Sequence, residues 1–172
     1  MVTISTAGFG VLAVVAEGRT HGFAVAALYA ADGALGRVWR IQRAVVYREF
    51  GRLTDAALLR EVGIDRGPGP DRMTVEVTPT GRELVDQWLL EPVARARDAR
   101  SALLLKLALL DRIGRDPGPL ISAQRAVFTA RLAELQARAD ASAPDDFERT
   151  LARWRACSTR AVLGFLDEIS ET

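Results

Sequence analysis

The apolar positions of this chain recur first at helical spacing, then at strand spacing, then at helical spacing again. Residues 6–17 read as a helix with Phe9, Val11, Leu12 and Val15 apolar, stopped by Gly18. Thr20 is placed to cap a second helix, roughly 21–32, with Phe23, Val25, Leu28 and Tyr29 as its apolar positions. "ADGALGRVW" breaks the pattern at Gly33 and Gly36 and reads as a loop. A third helix follows over about 41–56. The run "LLREVGI" (58–64) and the strictly alternating "RMTVEVT" (72–78) then read as two strands. "DRGPGP" (65–70) lies between them, so the pair forms a hairpin with a loop longer than a two-residue turn. "TPTGRELVDQWLLEPV" starts another helix. Thr78 or Thr80 is its cap, Thr80 and Glu83 have the spacing of a capping box, and Leu84, Trp88 and Leu89 share a side.

Beyond Pro92 the pattern becomes wholly helical. Three longer helices are predicted over 97–113, 118–140 and 145–170, separated by "DPGP" and "SAPDD". In the last, Phe147, Leu151, Trp154, Ser158, Ala161, Phe165 and Ile169 recur at steps of three and four, the pattern of a bundle or coiled-coil seam. Residues 99–110 are apolar on nearly all sides and are expected to be covered from more than one direction. The fold class that follows is mainly α with a small β-hairpin. Helix, helix, helix and hairpin make a winged helix-turn-helix domain over 1–91, and 92–172 form a C-terminal helical domain that dimerises.

Composition narrows the functional classes. The chain has 172 residues, 49% hydrophobic and 26% charged, enough for a real core. Its net charge is only +1, so affinity for nucleic acid or a membrane surface has to come from local clustering. Of the 23 basic residues only Lys106 is a lysine; the arginine bias fits a GC-rich genome and weakens any single arginine as a signal. The single cysteine, Cys157, permits no intrachain disulfide and suits a reducing cytosol. The start "MVTISTAGFGVLAVVAEG" has no basic n-region, and no run reaches the roughly 18 uncharged apolar residues of a membrane span, so a cytoplasmic location is expected. CxxC, HExxH, Walker, GxGxxG and GxSxG patterns are missing, and His21 is the sole histidine. No cofactor, metal or catalytic residue is expected, and the chain reads as something other than an enzyme.

The stretch "RIQRAVVYREFGRL" (40–53) carries the functional signal. On a helix, Val46, Phe50 and Leu53 fall within about 60° of each other and form the core side. Ala44, Tyr47, Arg48 and Gly51 fall on the opposite side, with Arg43 and Arg52 on the flanks. Residues 35–52 hold five arginines against one acid, Glu49, a local charge of +4. Small residues let the helix axis approach a target, arginine donates in pairs to guanine edges or phosphate, and a tyrosine hydroxyl reaches phosphate. A solvated helix in an arginine-rich protein would look similar in isolation. The order of elements decides for DNA, because a basic third helix followed by a Pro/Gly-tipped hairpin is the reading helix and wing of a winged domain. Gln42 is placed near a base edge; Arg43, Ala44, Tyr47, Arg48 and Arg52 touch DNA along the helix; Arg66 and Arg72 are the candidates on the wing.

These segments resemble the PadR-type transcriptional regulators. "LAVVAEGRTHGFAVAALY" is similar to the family's "L..L..GP.HGYEL...L", "VWRIQRAVVYREFGRLTDAALL" to its "....S.G.LY..L.RLE..GL", and "MTVEVTPTGRELVDQWL" to its "....Y.LT..G...L..W". The resemblance covers most of the chain, and its long tail matches the branch whose C-terminal helices dimerise. It implies homodimers that bind a pseudo-palindromic operator in double-stranded DNA, usually repress, and are relieved by small molecules. The chain departs from the pattern at Ala57, where a glycine usually turns the chain into the wing, at Val75 or Val77, where tyrosine is frequent, and at Asp65 and Asp71, which make the wing tip less basic.

Other residues receive plainer readings. His21 packs or hydrogen-bonds at the start of the second helix. Cys157 is a buried or half-buried thiol. Trp39 packs the small domain, and Trp88 and Trp154 are core or interface residues; a sharper reading makes Trp88 part of an apolar pocket between subunits for a small hydrophobic or aromatic effector. Asp145, Asp146 and Glu148 cap a helix. The alternative from a different class is a helical protein–protein interaction module without specific DNA binding.

Overall fold

Ser5 opens the first helix by accepting a hydrogen bond from the Gly8 amide at 3.0 Å, and α1 (Thr6–Ala16) runs from there with most of its surface covered. The structure, a computed structural model, describes residues 3–66, 71–143 and 145–170. The turn expected at the hairpin tip falls on residues 67–70, outside the described residues, as does Pro144 of "SAPDD".

The second helix, α2 (Gly22–Leu28), is shorter than the sequence suggests, and His21 caps it instead of Thr20. His21 Nδ1 accepts from the Ala24 amide at 3.1 Å. Thr20 is used elsewhere: its backbone exchanges two hydrogen bonds with Val75 and adds a third strand position beside the wing. The helix stops because the Leu28 carbonyl accepts from Leu35 and Gly36, both at 3.0 Å, which folds the following turn back on it. Gly36 is required there, since a Cβ would lie 1.6 Å from the Ala30 oxygen. The turn buries Leu35 and Ile41 and leads into α3 (Arg43–Asp55).

Ala57 ends α3 with φ of 54°. Its amide donates to Thr54 O and the Leu58 amide to Leu53 O, both at 2.9 Å, while Leu53 and Leu58 bury against the same core. This is a Schellman stop with alanine in the left-handed position that glycine usually fills. Left-handed backbone costs an L-residue about 1–2 kcal/mol, and glycine returns part of that as unfolded-state entropy. Ala57→Gly is therefore expected to stabilise the protein by about 0.5–1 kcal/mol, raising Tm by roughly 2–3 °C in a thermal melt. An unchanged or lower Tm would show that the turn carries no such strain.

The hairpin pairs β1 (Leu59–Asp65) with β2 (Arg72–Val77) antiparallel, with a bulge between Glu61 and Gly63. Thr78 Oγ1 accepts from the Gly81 amide at 3.2 Å, so it caps α4 (Pro79–Leu90), and the Thr80–Glu83 capping box does not form. Thr80 sits inside the first turn, and position 81 must be glycine because Leu58 O lies 2.4 Å from its would-be Cβ. These elements give the winged helix-turn-helix order in the first part of the chain.

After α4 come a single turn α5 (Ala96–Asp98), a π-helical turn over Ala99–Leu103, α6 (Leu104–Arg112), α7 (Gly118–Ala141) and α8 (Phe147–Glu168). The chain forms two compact units, and their division differs from a cut at residue 91. One unit is Met1–Leu89 with Leu105–Gly114; the other is Leu90–Leu104 with Arg115–Thr172. Residues 105–114 join the winged unit because Leu105, Leu109 and Leu110 are buried to within 1%. In that unit Lys106 Nζ also lies 4.7 Å from the Trp88 ring, and Arg112 pairs with Glu17 at 2.7 Å. The Glu17 carboxylate hydrogen-bonded to Arg112 holds that guanidinium's pKa above its usual value. Segment 102–110 is thus covered within the chain.

In the second unit, Gln124 exchanges hydrogen bonds of 2.7 and 2.9 Å with the Val93 backbone and ties the segment before α5 to α7. Helix α8 packs on α7 through Ala152, Ala156, Thr159 and Leu166, where small residues permit close approach. That face is centred about 130° round the helix from the stripe from Phe147 to Ile169 that the spacing marks as a seam. Phe147 and Trp154 on the stripe are 73% and 70% exposed. Cys157, expected to be at least half-buried, is exposed, and Ala156 takes the buried place beside it.

Candidate nucleic-acid interface

Helix α3 buries Val46, Glu49 and Leu53, while Phe50 is only half-buried. The buried side is thus rotated towards Glu49, the one acid among residues 35–52. Glu49 is 3% exposed and lies beside the first turn of α1, where a Cβ on Gly8 would come within 3.1 Å of its Oε2. Its Oε1 accepts from Arg48 Nη2 at 3.2 Å and stands 3.8 Å from Arg52 Nη1. One buried carboxylate therefore anchors two arginines whose guanidiniums remain more than half exposed.

The outer face carries what the sequence predicts. Gln42, Arg43, Ala44, Tyr47, Arg48, Gly51 and Arg52 are all exposed. Gln42 is the residue before the helix and spends no side-chain hydrogen bond on capping it. Nothing lies within 4 Å of a Cβ built on Gly51, although glycine inside a helix costs about 1 kcal/mol relative to alanine. The fold itself gives no reason for a glycine there.

Arg43 and Arg72 meet on Phe23. The Arg43 Cζ lies 5.2 Å from the Phe23 ring centroid and 5.6 Å from that of Tyr47, and the Arg72 Cζ lies 4.5 Å from Phe23. Phe23 is 43% exposed and is not a core residue of α2. On a helix it stands about 200° from Val25, which is fully buried, so the two cannot share a face. Tyr47 is fixed from the other side, because Gly22 leaves room for its ring 2.9 Å from where a Cβ would be. A groove of about 680 Å³ runs between these groups and the wing, and Asp55, Glu61 and Asp71 also line it. Arg66, just past β1, is exposed and separate from this cluster. His21 joins α2 to the wing through Nε2, which lies 3.6 Å from Asp65.

Trp88 is elsewhere. It is 7% exposed, stacked on Phe9 at 4.9 Å with rings nearly parallel, and covered by Lys106 on α6. It belongs to the core of the winged unit, as its core reading expects. A cleft of about 250 Å³ next to it is lined by Ala13, Val85, Leu89, Leu109 and Ile113, with Glu17, Arg82 and Asp86 at hand. Tyr29 is fully buried in the same unit, and burial pushes its phenol pKa well up. No helix among the described residues is long and apolar enough to cross a membrane.

No family profile and no curated protein matches the chain. Among solved structures it is similar to Bacillus subtilis PadR in complex with operator DNA, at 17% identity and a TM-score of 0.47, over 94% of this chain and 96% of that one. It is also similar to Bacillus subtilis PadR alone, at 16% identity and a TM-score of 0.43, over 95% and 92%. The complex of that protein with p-coumaric acid matches at 16% identity and a TM-score of 0.46, over 96% of each chain.

Proposed function

We propose that this chain is a sequence-specific DNA-binding transcriptional regulator that acts as a homodimer on a pseudo-palindromic operator. The observation that carries the reading is the outer face of α3. It presents Arg43, Arg48, Arg52 and Tyr47 to solvent, directly before a hairpin that closes onto the same unit. Arg43, Ala44, Tyr47 and Arg48 face the major groove, Gln42 reaches a base edge, and Arg52, Arg66 and Arg72 meet the backbone. Two such helices occupying successive grooves block polymerase, so the regulator represses. Relief comes from a small hydrophobic or aromatic ligand, for which the cleft beside α4 offers apolar walls with polar groups at hand.

The test is a salt titration of duplex binding by the wild type, Arg43→Ala and Arg48→Ala. Loss of a phosphate contact is expected to weaken binding to every duplex and flatten the log–log salt slope by about one per subunit. Loss of a base contact is expected to cost about 1–3 kcal/mol on the selected operator and relax one position. Arg43→Ala is not expected to lower Tm, whereas Arg48→Ala takes one partner from the buried Glu49 carboxylate and is expected to lower it modestly. Wild-type affinity and slope in both variants and in their combination would remove α3 as the reader. A protein-binding module is then the better account, and the exposed Ile64 and Met73 on the wing are the observation that favours it.

A further inference from the structure

Phe23 is a large apolar side chain left 43% exposed at the start of α2. It carries two guanidiniums from two different elements, Arg43 from α3 and Arg72 from β2. Asp55, Glu61 and Asp71 line the same groove as the two arginines. Both charges rest on one ring, so their Cζ atoms lie within about 10 Å of each other despite repelling. A phosphodiester offers two non-bridging oxygens, and guanidinium donates to such oxygens in a fixed fork. The groove carboxylates repel an anion that enters deeper, which keeps it at the ring.

We infer that Phe23 is a positioning residue that holds Arg43 and Arg72 as one cradle for a single backbone phosphate of duplex DNA, coupling the reading helix to the wing. This rests on the DNA-binding reading above. It also explains how a wing flanked by Asp65 and Asp71 contributes to binding: its effective cation is set by α2 and not by the tip. Side chains ordered before the target arrives lose less freedom on binding, so the ring converts two mobile cations into a preformed site.

The experiment compares Phe23→Leu, Phe23→Tyr, Arg72→Ala and the Phe23→Leu/Arg72→Ala pair in the full-length protein. Phe23→Leu is expected to melt with the wild type, bind duplex DNA about 5–10-fold more weakly, and flatten the salt slope by about one per subunit. Phe23→Tyr keeps the π-face and restores wild-type binding. Arg72→Ala is expected to cost about 5–10-fold in the wild type but less than about 2-fold once Phe23 is leucine, since the two act as a unit. In the free protein, the δ-methylene protons of Arg43 and Arg72 are shifted upfield by the ring current, and the shift vanishes in Phe23→Leu. Unshifted protons, wild-type binding by Phe23→Leu, or independent effects of the two substitutions would each overturn the cradle while leaving the DNA reading intact. Shifted protons in a wild type that binds no duplex would overturn the DNA reading, and the phosphate assignment with it.

Discussion

A chain ended after residue 91 is expected not to fold its winged domain. Leu105, Leu109 and Leu110 are each buried to within 1% in the first unit, and Leu105 fills the space against Gly10, where a Cβ would lie 3.2 Å from its Cδ2. Ending the chain at 91 removes all three, uncovers the Lys106 face of Trp88, and leaves Glu17 without Arg112. Truncating one buried leucine to alanine costs about 2–5 kcal/mol, so three such losses reach the whole stability of a typical domain, about 5–15 kcal/mol. A chain ended at 114 retains α6 and is expected to melt cooperatively. Near-ultraviolet circular dichroism from Trp39 and Trp88 and amide chemical-shift dispersion read the difference. A dispersed, cooperatively melting 1–91 fragment would show that α6 is packed against the domain without supporting it.

That boundary was not legible in the chain because "SALLLKLALL" is apolar all round. An all-round apolar helix states that it is covered, not by what, and its position after Pro92 suggested the tail. The hairpin was legible since period-two alternation has few rivals over 72–78, and the outer face of α3 was legible since polar groups there cluster on one arc. Failures came where one residue serves a tertiary partner. Thr20 has a capping side chain, yet its backbone is spent on Val75, and His21 takes the cap. Glu49 is an acid by type and buried by circumstance, because Gly8 leaves a space for it and Arg48 and Arg52 neutralise it. Phe23 was grouped with Val25 and Tyr29 by composition, although its angle on the helix already separated it from them. On α8 the stripe of large apolar residues outweighed the small ones, and the small ones form the intrachain contact.

The exposed part of that stripe leads to the second large effect. Trp154→Glu is expected to convert the proposed dimer to a monomer without unfolding the chain. Most of segment 102–110 is buried within the chain, and the two most exposed large apolar side chains among the described residues are Phe147 and Trp154 on α8, at 73% and 70%. A tryptophan buries about 150–250 Å², worth roughly 4–6 kcal/mol at 25 cal/mol per Å² before ordering costs. A two-fold interface contains the residue twice, so each substitution counts twice. Glutamate there also places a charge where the partner's copy would meet it. Self-association is expected to weaken by at least about 100-fold, read by sedimentation across the micromolar range. Helical content and Tm of the α7–α8 pair stay near wild type, because Ala152, Ala156, Thr159 and Leu166 on the other face are untouched. Operator affinity falls with the dimer, since the second half-site loses its tether, whereas binding to a single half-site does not change. A Trp154→Glu protein that still sediments at twice the chain mass at low micromolar concentration would move the interface off α8. Loss of half-site binding together with dimerisation would mean instead that the substitution disturbs the winged domain, and a milder Trp154→Ala would then separate the two effects.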